Sequence, residues 1–221
     1  MRILYTSLFP RLPYKQHEQE NLEFFMDSVK YHNYNNFKYI IASAHSFMLK
    51  NSYDYFLDTD FTYNEKMNEE RGHEISFSKQ KLFQLSNEIM KEQEIDYLFY
   101  IDSDMMIDSK DVVELCKALE YKENTFVNIP YVLRDLKKVS NSSFGCYIIP
   151  FKILKENPDL YEVIYRTKIV DDQICRIGAP DCNIREELIR RGYKELNAHN
   201  INTRHYIDNE NFLEYDNGVI K

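Results

Sequence analysis

The stretch Asp96 to Ile107, D-Y-L-F-Y-I-D-S-D-M-M-I, constrains this chain more than any other part of it. Tyr97 to Ile101 run without a polar break and end on two carboxylates, Asp102 and Asp104, one residue apart. A half-exposed strand would alternate apolar and polar residues, so a short unbroken run of aromatic and aliphatic side chains predicts a strand buried on both faces of a parallel sheet. Ligands of open α/β sheets sit beyond the carboxyl ends of such strands, which is where Asp102, Ser103 and Asp104 fall. Two carboxylates that close repel each other and lose hydration. A hard divalent cation such as Mn²⁺ or Mg²⁺, itself bound to a phosphate, would offset both costs.

The flanking sequence supplies the partners such a strand needs. Arg2 to Leu8 reads as a first strand, broken by Pro10 and Pro13, and Thr6 and Ser7 would then lie near the base of a bound nucleotide. Leu22, Phe25, Met26 and Val29 recur at helical spacing between Gln19 and Tyr31, and Phe37 to Ala44 reads as a second strand. Ser78 to Lys91 resumes helical spacing and leads straight into the central strand. Lys79 and Lys81 would occupy its first turn, where a phosphate could meet both an ammonium group and the helix N-terminus. A helix around Val112 to Leu119 follows, then strands at Thr125 to Val132 and Tyr147 to Ile149. Gly145, at the mouth of the latter, suits a close backbone approach to a ligand in a chain with five glycines. Near the end, Asp181 opens a helix that Gly192 is placed to stop, and His205 comes after a short polar strand. The β-α-β alternation predicts an α/β fold, a mostly parallel central sheet with helices on both faces.

A length of 221 residues suits one domain spanning 1–221. A net charge of −8 argues against non-specific nucleic-acid binding, which depends on clustered Lys and Arg. The N-terminal apolar run is too short for a signal peptide and no stretch approaches a membrane span, so a cytoplasmic protein without an integral membrane segment is expected. Cys116, Cys146, Cys175 and Cys182 form no C-x-x-C pair, which predicts reduced thiols rather than a zinc site.

The order of these pieces resembles the GT-A fold glycosyltransferases, the Rossmann-related nucleotide-diphospho-sugar transferase superfamily. The resemblance rests on the strand ending in Asp102-Ser103-Asp104, on Asp181 eleven positions before Gly192-Tyr193, and on His205 thirteen positions after that glycine. It implies transfer of a sugar from a UDP- or GDP-sugar donor to a hydroxyl of a glycan or other acceptor, with Mn²⁺ or Mg²⁺ as cofactor. By position, Asp104 would bind the metal, Asp102 would contact the ribose or the metal shell, and His205 would complete the ligands. Thr6, Ser7, Lys79, Lys81, Ser103 and Gly145 would lie on the nucleotide side. Inverting members carry a base in an E-D pair ahead of the G-Y helix; here Ala179-Pro180-Asp181 lacks the leading acid and Asp171-Asp172 sits nine residues too early, so Asp181 and Asp172 both stand as candidates.

Two other readings compete. Asp58-Thr59-Asp60-Phe61-Thr62 fits the D-x-D-x-T nucleophile loop of the haloacid-dehalogenase-like phosphatases, although that loop follows the first strand in the family and here two strands and a helix come before it. The third reading is an inactive transferase fold that binds sugars.

Overall fold

The structure is a computed structural model, and it describes residues 1–9, 37–43, 55–58, 68–102, 104–133, 138–140, 145–171, 173–206 and 211–220. The helix expected between Gln19 and Tyr31 lies outside these residues, as do Ser103, Asp60 and Asp172.

The central run behaves as its composition demands. Strand β4, Tyr97–Ile101, is buried at every position and sits inside a seven-stranded sheet. Its neighbour β1, Ile3–Phe9, pairs with it in parallel and with β2, Phe37–Ser43, on the other side. β3, Tyr55–Asp58, closes that edge. The strand ending in Asp58 is therefore an edge strand, well away from β4.

On the far side of β4 runs β9, Cys146–Pro150, antiparallel to it; β6, Thr125–Asn128, and β12, Lys194–Asn197, complete the order β12-β6-β9-β4-β1-β2-β3. Only β9 runs against the rest. The expected α/β class, with a mostly parallel sheet, is the architecture found.

Alternation along the strands explains why helices cover both faces. Ile3, Tyr5, Tyr97, Phe99 and Ile101 point to one side, where Val112, Leu115, Cys116 and Leu119 of α2, Ser109–Leu119, meet them. Leu4, Leu8, Leu98 and Tyr100 point to the other, against Leu82, Phe83, Ile89 and Met90 of α1, Asn68–Glu92, Ile153 and Leu154 of α3, Phe151–Glu156, and Ile184 and Leu188 of α4, Pro180–Arg190. Asp108 caps α2 by accepting a bond from the Lys110 amide, at 2.8 Å.

Two expected elements differ. The helix before β4 begins at Asn68, not Ser78, so Lys79 and Lys81 lie about three turns inside it and no helix N-terminus adds to their charge. Tertiary anchoring carries the helix back through the polar stretch: His73 Nδ1 lies 2.9 Å from the Tyr165 hydroxyl, and Ser76 and Ser78 are buried. The strand expected over Thr125 to Val132 is broken in two. Ile129 still donates to Cys146 O at 3.0 Å, but Pro130 has no N–H to offer the ladder, and the chain turns away into β7, Tyr131–Leu133, which pairs with β8, Lys138–Ser140.

A second sheet stands at the carboxyl end of β4. β5, Met105–Ile107, follows the acidic stretch directly and takes β13, Thr203–Tyr206, as its antiparallel partner. β14, Phe212–Asp216, and β15, Val219–Ile220, extend it. The remaining strands, β10, Thr167–Val170, and β11, Gln173–Arg176, form a hairpin ahead of α4. Among the described residues no helix is long and apolar enough to cross a membrane. All four cysteines are free thiols, with Cys116 and Cys146 buried.

Candidate active site

Three segments far apart in sequence converge where β4 ends. β4 delivers Asp102 just past Ile101, and its backbone is fixed there: the Asp102 amide donates to Gly145 O at 2.8 Å and its carbonyl accepts from Met105 N–H at 3.1 Å. Asp102 Oδ1 accepts from the Tyr100 hydroxyl at 2.8 Å and from Lys79 Nζ at 3.1 Å. Lys79 also donates to Asp181 Oδ1, at 2.6 Å.

Asp181 does not cap its helix. Ala179 holds the cap position without a side-chain bond, Pro180 supplies the preset φ of the first turn, and the Asp181 carboxylate turns to Lys79 instead. At the other end Gly192, at φ +89°, stops α4 as expected, and its amide donates back to Ile189 O at 2.9 Å.

Electrostatics follow from this packing. Burial favours the neutral amine of Lys79, but the Asp102 and Asp181 carboxylates overcome it and hold the ammonium charged, above its ordinary range. For Asp102 burial is the largest influence and pushes its carboxyl up to about 6; Lys79 pulls the other way, while the charges of Asp181 and Asp104 add to the rise. Tyr100, stacked on Tyr147 with ring centres 5.0 Å apart, is held well above its usual range by burial and by the Asp102 charge.

A second pair forms across the β5–β13 ladder. His205 is within β13, not after it, and sits opposite Met105. Its Nδ1 lies 2.6 Å from Val132 O; a carbonyl only accepts, so Nδ1 carries the proton. In the neutral ring Nε2 is then an acceptor, and it faces Asp104 Oδ1 at 3.6 Å. At that separation the two atoms could share a cation, either a proton on the ring or a metal ion. A hydrogen bond from the far ring nitrogen to a carbonyl is also what orients histidine ligands in metal sites. Among the described residues no three His, Cys, Asp or Glu side chains cluster as a complete ligand set. A divalent ion on Asp104 and His205 would need further ligands, which substrate and water could supply; a carboxylate-imidazole pair suits Mn²⁺ or Mg²⁺.

The remaining expected residues fall as follows. Gly145 is buried, and the space its side chain would need is filled by Asp102 Oδ2 and by the Tyr131 hydroxyl, which would lie 2.4 and 2.6 Å from a Cβ. The close approach there comes from the protein itself. Thr6 and Ser7 are buried in β1, Thr6 Oγ1 lying 3.5 Å from Ser86 Oγ of α1; no bond joins either to the acidic pair among the described residues. Lys81 is exposed, with its ammonium 4.5 Å from the centre of the Phe77 ring. Ser103 and Asp172 are outside the described residues.

Sequence reasoning missed Tyr100, Tyr131 and Val132. Tyr131 packs edge-on to His205, ring centres 5.3 Å apart, and so links the Gly145 crowding to the Asp104–His205 pair.

No protein-family model matches the chain, and no curated protein sequence matches it. Solved structures do resemble its fold. The crystal structure of A197 from STIV matches over 100% of this chain and 93% of that one, with a TM-score of 0.54 and 14% identity. A glycosyltransferase involved in the glycosylation of the major capsid of PBCV-1 matches over 89% of this chain and 82% of its own, with a TM-score of 0.48 and 12% identity. S. aureus TarS 1-349 in complex with UDP-GlcNAc matches over 72% of this chain and 48% of its own, with a TM-score of 0.42 and 12% identity. The likeness to A197 establishes a shared fold.

Proposed function

We propose that the chain is a glycosyltransferase that moves a sugar from a nucleoside-diphosphate donor, UDP- or GDP-linked, to a hydroxyl of a glycan or other acceptor. The observation that carries this reading is the meeting of Asp104 and His205 at 3.6 Å beyond the carboxyl end of β4, the end where open α/β sheets bind ligands. These two side chains would hold Mn²⁺ or Mg²⁺, and the bound ion would neutralise charge on a leaving diphosphate. Val132 O fixes the His205 tautomer for that task, and Tyr131 fixes its ring plane.

Asp102 belongs on the donor side, where Gly145 leaves room for its second oxygen. Asp181 is the candidate base among the described residues: its Oδ1 is bound to Lys79, and its Oδ2 could accept the proton of an acceptor hydroxyl. Asp172 stays the alternative base.

The test is thermal stabilisation by UDP, GDP, CMP and dTDP, each with and without Mn²⁺, in the parent and in Asp104→Ala. One nucleoside diphosphate should stabilise the parent only with Mn²⁺, and Asp104→Ala should lose that effect while melting within a few degrees of the parent, because a half-exposed loop carboxylate contributes little packing. Equal stabilisation in the variant, or in the parent with EDTA, would overturn the reading.

A further inference from the structure

Among the lysines of the described residues, Lys79 stands apart in how it is held. Its side chain is 10% exposed, whereas the Asp102 and Asp181 side chains it binds are 29% and 21% exposed. The two carboxylates are thus more open to solvent than the ammonium that joins them, which is reached from α1. Its Nζ also lies 5.0 Å from the centre of the Tyr100 ring, whose hydroxyl bonds the same Asp102 oxygen.

A phosphate ligand would be placed the other way round, with the cation foremost. Stability alone is a weak reason for such a cluster, because buried ion pairs often do no better than apolar side chains of the same volume. What the arrangement does achieve is to fix, through one atom, the separation of two carboxylates that come from β4 and from the first turn of α4.

We infer that Lys79 is a positioning residue: it ties Asp181 to Asp102 and so sets the distance between the group that takes the acceptor's proton and the group that faces the donor. The inference rests on the transferase reading above and departs from the expectation that Lys79 meets the donor phosphates. Through Oδ1 it anchors Asp181 and leaves Oδ2 for the acceptor. Lys79→Met would remove the tie, letting two carboxylates of like charge move apart. The reacting groups would then lose their alignment while the Asp104–His205 pair stays intact.

The experiment compares Lys79→Met, Lys79→Arg, Asp181→Asn and the Lys79→Met/Asp181→Asn double variant with the parent. The readouts are Mn²⁺-dependent affinity for the nucleoside diphosphate that stabilises the parent, and kcat and KM for hydrolysis or transfer of the corresponding nucleotide sugar. Lys79→Met should lower kcat about 100-fold, the order of loss for a misplacement near 1 Å, with KM and diphosphate affinity unchanged. Lys79→Arg should restore most of the loss. In the Asp181→Asn background Lys79→Met should cost little more, since a residue that acts through another adds nothing once that one is gone.

Diphosphate affinity that falls with kcat intact would make Lys79 a phosphate ligand and overturn the inference. So would additive losses in the double variant, or a lowered melting temperature with unchanged kcat per folded molecule. Should Lys79→Met not fold, Lys79→Gln in both backgrounds gives the same comparison. A parent that binds diphosphate with Mn²⁺ and turns over no nucleotide sugar overturns the transferase reading and the role of Lys79 together. Loss of kcat confined to the Lys79 variants leaves the transferase reading standing.

Discussion

Gly145 is kept a glycine by its neighbours rather than by its backbone. Asp102 Oδ2 and the Tyr131 hydroxyl occupy the volume a methyl group would take, at 2.4 and 2.6 Å. Neither can step aside cheaply, because Asp102 is fixed by Lys79 and Tyr100, and Tyr131 is buried against His205. Gly145→Ala should therefore cost about 1–3 kcal/mol, the usual range for overpacking a filled site. Because displacing Tyr131 would disturb the His205 ring it packs against, the same variant should also weaken Mn²⁺-dependent nucleotide binding. Urea unfolding and thermal shift with Mn²⁺ check the two effects separately; a fully stable variant with parental binding would mean that the crowding is relieved elsewhere. At this scale the sequence showed Asp102 and Asp104 clearly, since a buried apolar run can only release its first charged residues at the strand's end. It could not show that Lys79 meets Asp181, which lies 102 positions away, nor that Tyr131 and Val132 would seat His205. Those contacts depend on how elements cross, and no local pattern encodes that.

At the scale of elements, α4 is held by a buried carboxylate as much as by its apolar face. Glu187 accepts bonds from Arg190 Nε and Arg191 Nε, both at 2.8 Å, and Arg191 reaches on to Asp159 at 2.7 Å. The Arg190 bond is the largest influence, burial opposes it and Arg191 adds to it, and together they lower the Glu187 carboxyl from 4.5 to about 2. A group whose pKa is lower in the folded state adds stability that is complete above its unfolded pKa and is lost as pH falls through the folded one. The window here runs from about 4.5 down to about 2. Glu187→Gln should cost about 2 kcal/mol at pH 7, the order of charge-assisted hydrogen bonds to a buried group, and the gap to the parent should close as pH drops through that window. Parallel urea titrations at several pH values measure the gap directly, and a gap constant with pH would show that the charge of Glu187 contributes nothing. The helix itself was legible from Ile184, Leu188 and Gly192. Its arginine network was not, because a surface-type pattern of charges gives no sign of which carboxylate is enclosed. The start of α1 was illegible for a related reason: Asn68 to His73 carries no apolar periodicity, and the helix there is held by a tertiary bond to Tyr165.

For the molecule as a whole, Asp104 and His205 meet only when the chain has closed on itself. β5 leaves the acidic stretch at once, yet its ladder partner β13 arrives about a hundred residues later, after the main sheet has been completed by β12. Two side-chain bonds fasten β13 to the strand that departs from that sheet: Thr203 Oγ1 donates to Pro130 O at 3.0 Å, and His205 Nδ1 donates to Val132 O at 2.6 Å. Both reach buried carbonyls from alternate positions of one strand, so Thr203→Val should cost ~1 kcal/mol of stability for its bond, and His205→Ala that much plus the packing of the ring on Tyr131. Both variants thus loosen the same ladder. They should differ at the proposed cation site. His205→Ala should raise the Mn²⁺ concentration needed for half-maximal nucleotide stabilisation by at least about tenfold, while Thr203→Val, which keeps the ring and its carbonyl partner, should leave it near the parental value. Chemical denaturation of both variants without Mn²⁺ measures the cost to the fold, and Mn²⁺ titration with a fixed nucleoside diphosphate, read on the folded protein, gives the difference at the proposed site. Equal Mn²⁺ requirements in the two variants would place the ion away from His205 and return the closing of β13 on β5 to a purely architectural role.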